Sequence, residues 1–242
     1  IKLDELMAGA ANSFGICQAM CDAYENRYGR RFLPFHNALD SEDWLLKSRK
    51  NWQAGRPFQL LYSGALMPKS QLQSVFDVAH AIAALRREGK DFVFNIYAPW
   101  YAAARYRNDL ERYDGVKVFD APQTMEIESL FAGADLLLLP INFDDESVRY
   151  IKYSMPTKVP AYMFSGTPTL AYGPESVASV KYAKAWAYCV TDKNKNALAN
   201  AIKTLAGDEI LREKLAKKAQ KLAKEKHNAI KVRADFHKAF AR

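Results

Sequence analysis

Two lysines, a glycine and two hydroxyls carry the most suggestive chemistry in this sequence. Gly64 ends the apolar run Phe58-Gln59-Leu60-Leu61-Tyr62-Ser63, and Lys69 follows just ahead of Ser70. A glycine at a strand end lets a ligand approach the backbone, and a nearby lysine supplies a mobile cation. Each also has a plainer reading, as a tight turn and a solvated lysine. The second group is Ser154-Met155-Pro156-Thr157-Lys158. It reads as a helix start, with Ser154 or Thr157 as N-cap and Pro156 in or beside the first turn. Capping alone accounts for the hydroxyls. A lysine in the first turn opposes the helix dipole unless an anion offsets it. Hydroxyl, cation and free N–H groups together suit phosphate.

Other candidates are less specific. Phe119-Asp120-Ala121-Pro122 places an apolar strand end where a base or ring could pack, or is an ordinary strand-to-helix turn. Asp144, Asp145 and Glu146 could hold a sugar hydroxyl or a metal, although an acidic loop is commonly just solvated. His36, His80, His227 and His237 are dispersed, and no Ser–His–Asp or Cys–His order emerges. Neither the glycine-rich dinucleotide fingerprint nor the phosphate loop of ATPases is present.

These residues need a frame, and the sequence supplies one from about Pro57 onwards. Strand-like runs over 58–63, 92–98, 116–119, 136–139, 169–172 and 188–191 alternate with helical stretches over 70–87, 100–113, 124–132, 159–164 and 176–186. Leu136 to Leu139 is too short to span a membrane and reads as a strand buried on both faces. Thr124 is placed to cap one helix, and Gly166 to end another. The pattern predicts an α/β fold, a doubly wound, mostly parallel six-stranded sheet of Rossmann-like type with helices on both faces. Ligands of such sheets sit beyond the carboxyl ends of the strands. Upstream, Leu3 to about Tyr28 reads as one helix, 32–35 as a short extended piece and 37–43 as a turn. Amphipathic helices fill the chain after Lys203.

Composition sets wider bounds. A chain of 242 residues buries a substantial core. It opens on Ile1 inside helix-like sequence, as expected of a piece of a longer protein. Cys17, Cys21 and Cys189 cannot all pair, and they fit reduced, buried thiols in a cytoplasmic protein. The net charge of +8 is concentrated between Lys203 and Arg242, where 12 Lys/Arg face 5 Asp/Glu. Lysines spaced among Leu211, Leu215, Ala219 and Leu222 describe solvated helix faces rather than a nucleic-acid arm. A peripheral contact with an anionic membrane stays open.

The glycine-ended strand and its lysine, followed by SLFAGADLLLLP and SMPTKVPAYMFSGTPTL, resemble the C-terminal half of a GT-B-fold glycosyltransferase of the large retaining group 1 family. The likeness covers roughly Phe58 to Arg242. QAMCDAYENRYGRRFLPFHNALD is similar to the end of the N-terminal acceptor domain in that family. The resemblance therefore implies residues 1–56 as the end of that domain plus a linker, and 57–242 as the nucleotide-sugar-binding domain. It implies a UDP- or GDP-sugar donor and no required cofactor or metal. The acceptor, a sugar or glycolipid, would be held largely by an N-terminal half outside this chain, in polysaccharide or glycoconjugate synthesis. Lys69 and Lys158 would neutralise the leaving diphosphate, helped by the helix start at Ser154 and Thr157. Gly64 would let the donor approach, and Phe119, Asp120 and Ala121 would meet the base. The family usually carries two glutamates separated by seven residues, and their places here fall on Tyr153 and Ala161. Glu146 is a candidate substitute. That departure leaves open a non-catalytic nucleotide-sugar-binding or partner module, and the shared architecture leaves open an enzyme like the UDP-sugar epimerases.

Overall fold

The computed structural model describes residues 3–122 and 126–240, so Thr124, expected as a helix cap, lies outside them. The N-terminal stretch is not the single helix that its periodicity suggests. Helix α1 (Leu3–Gly9) stops, strand β1 (Phe14–Gly15) intervenes, and α2 (Gln18–Tyr28) ends at the left-handed Gly29. Gly9, Asn12, Ser13 and Gly15 are poor helix formers. A Cβ at Gly15 would also lie only 2.7 Å from the Cys21 Sγ, so backbone packs there directly on sulfur. Strand β1 pairs in parallel with β2 (Leu33–Pro34). The expected turn over 37–43 gives way in part to α3 (Ser41–Lys47), capped by the Asp40 carboxylate accepting from the Glu42 N–H at 3.3 Å.

The sheet follows. Its strands are β3 (Phe58–Ser63), β4 (Phe92–Ala98), β5 (Val116–Asp120), β6 (Leu136–Pro140), β7 (Thr169–Tyr172) and β8 (Tyr188–Val190). Between them run α4 (Leu72–Arg87), α5 (Trp100–Leu110), α6 (Ile127–Gly133), α7 (Asp145–Ile151), α8 (Val159–Phe164) and α9 (Ala178–Ala183). All six strands are parallel, in the order β5-β4-β3-β6-β7-β8. The chain builds outwards from β3 in one direction and from β6 in the other. That direction reverses at the carboxyl ends of β3 and β6, the place where sheets of this kind hold their ligands. Helix α7 replaces part of the expected acidic loop: Asp144 accepts from the Ser147 N–H at 2.9 Å and caps it.

Four successive leucines in β6 explain the two-sided core. Leu136 and Leu138 join Leu60, Tyr62 and the inner face of α4 on one side. Leu137 and Leu139 join Leu61 and the α8 residues Val159, Tyr162 and Phe164 on the other. Each such leucine contributes on the order of 1.5–3 kcal/mol by leaving water. Helices α10 (Lys195–Gly207), α11 (Glu209–Lys226) and α12 (Ala229–Phe240) complete the fold. Buried Arg212 of α11 donates to the carbonyls of Trp52, Leu205 and Ala206. Buried Asp135 accepts from Arg49 (2.9 Å) and from the N–H groups of Gly55 (3.1 Å) and Gln59 (2.8 Å). These two charged residues fasten the stretch before β3 to the sheet. Helix α12 returns to the N-terminal segment, with Phe236 against Phe14 and Phe35 at 5.1 and 5.2 Å between ring centroids. Among the described residues, no helix is long and apolar enough to cross a membrane.

Candidate functional site

At that reversal, β3 ends in Tyr62, Ser63 and Gly64. The Tyr62 hydroxyl donates to the Ala65 carbonyl at 2.5 Å, and Gln71 donates to the same carbonyl. The Ser63 N–H donates to the Tyr162 hydroxyl of α8 at 3.2 Å. Both phenols are buried, which raises their pKa and keeps them neutral. Gly64 has φ +151°, and a Cβ there would collide with Lys158 Nζ and lie 3.0 Å from the Tyr62 hydroxyl. Only glycine leaves this corner open.

Lys158 occupies the N-cap position of α8, with no side-chain cap bond there. Ser154 and Thr157 are exposed, and among the described residues neither hydroxyl caps that helix. Pro160 fills the start of α8 instead, where a missing N–H costs little. The Lys158 side chain reaches across to β3, its ammonium 4.1 Å from the Tyr62 ring centroid and beside the Gly64 backbone. Among the described residues it has no carboxylate partner within ion-pair distance. Burial pulls its pKa from the ordinary 10.5 down to about 7. The Tyr62 ring face is the contact that this ammonium makes when it is protonated.

Lys69 is differently engaged. It lies further along the loop that begins at Gly64, and its ammonium pairs with Glu146 at 2.6 Å, both side chains being well exposed. That pairing raises the lysine pKa. Gly64 and Lys158 are thus brought into direct contact, whereas Lys69 meets Glu146 at the start of α7. Phe119 stacks on Tyr97 at 4.9 Å between centroids. Asp120 pairs with Arg107 at 3.4 Å, and Ala121 is exposed. The stacked rings present an aromatic surface at the ends of β4 and β5. Tyr153 gives its carbonyl to the Cys17 thiol at 3.5 Å, and Ala161 is buried on α8 against the second core.

Three residues that position the site escape a reading of the sequence alone: Tyr62, Tyr162 and Asn142. Asn142 is fully buried, donates to the Pro68 carbonyl (2.7 Å) and the Ser147 hydroxyl (3.1 Å), and accepts from the Ser74 N–H (3.2 Å). Its backbone N–H donates to Ser70 at 2.7 Å. It staples the Gly64–Lys69 loop to the loop after β6. A polar residue two places beyond an all-apolar strand is a usable signal for such a staple. Nothing local marks Tyr62 as the partner of Lys158, since they lie on different elements.

This combination of sheet order and helix placement defines the class: the fold is that of the C-terminal half of a GT-B glycosyltransferase. Among solved structures the chain is similar to TarM, with 12% identity, a TM-score of 0.73 and coverage of 99% of this chain and 45% of that one. It is similar to sucrose-phosphate synthase from Thermosynechococcus elongatus, with 13% identity, a TM-score of 0.74 and coverage of 98% and 59%. It is also similar to Anabaena HepE in complex with UDP and glucose, with 18% identity, a TM-score of 0.67 and coverage of 96% and 63%. The chain thus spans about half to two thirds of the length of these structures. No family model matches the sequence, and no curated protein matches it significantly.

Proposed function

We propose that this chain is the nucleotide-sugar-binding half of a retaining glycosyltransferase of polysaccharide or glycoconjugate synthesis. Its donor is a UDP- or GDP-sugar, and the receiving sugar or glycolipid is held largely by an N-terminal half outside the chain. Residues 57–242 form the donor domain in this reading. The observation that carries it is the Lys158 ammonium, half-buried and without a counter-ion among the described residues, beside Gly64 at the point where the sheet reverses direction. A diphosphate there gains a charge-assisted bond in a partly dry setting, and the same cation stabilises the negative charge that grows as the sugar departs. Lys69 joins by exchanging Glu146 for a phosphate oxygen. The Phe119–Tyr97 stack and the Asp120–Ala121 backbone receive the base, while Ser154 and Thr157 offer hydroxyls to the diphosphate beside Lys158. No metal is needed in this scheme, because the lysines supply the positive charge.

A second reading is favoured by a specific observation: Ala161, where the family carries a glutamate, is buried and apolar. On that reading the chain binds nucleotide sugars without transferring them. Calorimetric titration with UDP, GDP and ADP, followed by transfer and hydrolysis assays with the matching sugar nucleotides, separates the readings. The proposal expects binding of UDP or GDP, weakened on Lys158→Ala. Absence of heat with every nucleotide contradicts both readings. Epimerisation of a UDP-sugar without any receiving sugar would replace them by the epimerase alternative.

A further inference from the structure

A second cavity, of about 640 Å3, lies between the N-terminal segment, α9, α11 and α12. Its size is within the roughly 300–1,000 Å3 range of small-molecule sites. One part of its wall is rigid and ring-bearing. His36 stacks on Tyr182 at 5.3 Å and 24°, and its edge meets fully buried His227 at 5.3 Å. His227 is fixed at both nitrogens, by the Tyr182 hydroxyl at 2.9 Å and the Asn37 carbonyl at 2.6 Å. Phe35 continues the wall. Burial first, then His227 and Lys226, hold the His36 pKa at about 4, so the ring is neutral at pH 7.

The rim is charged but balanced. Asp22, Glu225 and Asp235 face it together with Lys181, Lys226 and Lys231. Among the described residues none of the six forms an ion pair. Three carboxylates disfavour a diphosphate or another strongly anionic ligand, and three ammoniums disfavour a polycation. A neutral polyhydroxylated molecule satisfies both sets, since each hydroxyl donates to a carboxylate and accepts from an ammonium. Its C–H faces pack on the rings. The segment 152–158 connects this cavity to the end of β3: Met155 lines the cavity while Lys158 reaches Gly64. That segment is tied to the cavity walls by Asn37 donating to the Met155 carbonyl at 3.3 Å and by the Ala178 N–H donating to the Lys152 carbonyl at 2.8 Å.

We infer that this cavity, walled by His36, Tyr182 and Phe35 and rimmed by three carboxylates and three ammoniums, is a binding site for a neutral sugar. The inference goes beyond the donor reading and stands without it.

The test is saturation-transfer NMR on the full chain with a panel of neutral mono- and disaccharides, glucose, galactose, N-acetylglucosamine, maltose, cellobiose and sucrose. Glucuronic acid and glucosamine serve as charged comparisons, and hits are then titrated by calorimetry. Lys181→Ala and Asp235→Ala change exposed side chains and leave the fold intact by circular dichroism. The expected result is at least one neutral sugar that binds, shifts the His36 ring resonances and loses fivefold or more in affinity in each variant. Binding of UDP stays unchanged in both variants, so failure here is distinguishable from failure at Lys158. No binding across the panel, preference for a charged sugar, or affinity untouched by both substitutions overturns the inference.

Discussion

Replacing Lys158 by methionine should make the protein more stable and a poorer binder of nucleotides. In the folded chain, burial takes this ammonium from 10.5 to about 7. Each tenfold step in proton affinity corresponds to about 1.4 kcal/mol, which sets a ceiling near 5 kcal/mol on the cost of burying the group. Lys158 is only half-buried and rests on the Tyr62 ring, so relaxation and water bring the realised cost to about 1–3 kcal/mol. Methionine keeps a chain of similar length, fills the same path over Tyr62 and carries no charge. At pH 7 its midpoint of thermal unfolding should rise by roughly 2–4 °C per kcal/mol relieved. The sign of the pH dependence follows from the same group. Between about pH 7 and 10.5 the unfolded chain holds a proton that the folded chain has shed, so Lys158 makes wild-type stability rise with pH across that window, and the methionine variant loses this rise. The same variant should bind UDP or GDP more weakly by about 1–3 kcal/mol, the size of a lost charge-assisted bond. Differential scanning calorimetry at pH 6, 7.5 and 9, with titration of each nucleotide, reads both effects. A variant that is less stable, or that binds nucleotide as the wild type does, refutes the reasoning.

Further perturbations test the surrounding scaffold. Gly64→Ala forces a side chain into the Lys158 ammonium at an unfavourable φ, and should abolish nucleotide-dependent protection of the loop in hydrogen exchange while the sheet stays protected. Asn142→Ala removes three buried side-chain bonds and should cost about 2–4 kcal/mol in chemical denaturation, with faster exchange at Ser70 and Ser74. Asp135→Asn leaves partly buried Arg49 without its carboxylate and should cost about 3–5 kcal/mol, against little change for an exposed control such as Asp109→Asn. Glu146→Gln releases Lys69 and should leave the unfolding midpoint unchanged while tightening nucleotide binding.

The sheet was legible because its strands are apolar runs punctuated by Gly64, Gly89, Pro140 and Gly166, and each of the six expected runs matches an observed strand to within one residue at its end. The N-terminal helix misled because Leu6, Met7, Ala10, Phe14, Cys17 and Cys21 keep helical spacing across a break. The poor helix formers Gly9, Asn12, Ser13 and Gly15 mark the break, and the packing of Gly15 on Cys21 leaves no room for a side chain there. The start of α7 was hidden by its acids, which read as a solvated loop although Asp144 is a good cap. In the site, Gly64 and Lys158 could each be picked out by residue type. Their contact could not, because it depends on how α8 docks on β3. The ring partners Tyr62 and Tyr97, and the charge balance of the second cavity, likewise arise only when separate elements meet.

The central claim is that Lys158 waits beside Gly64 for the diphosphate of a nucleotide sugar. The most direct measurement is calorimetric titration of UDP at pH 7.5 in two buffers of different ionisation enthalpy. Because the empty lysine has a pKa of about 7 and an adjacent anion favours its charged form, binding should take up a proton. That uptake should vanish in Lys158→Ala. Binding with no proton uptake, or with the same uptake after the substitution, would contradict the account.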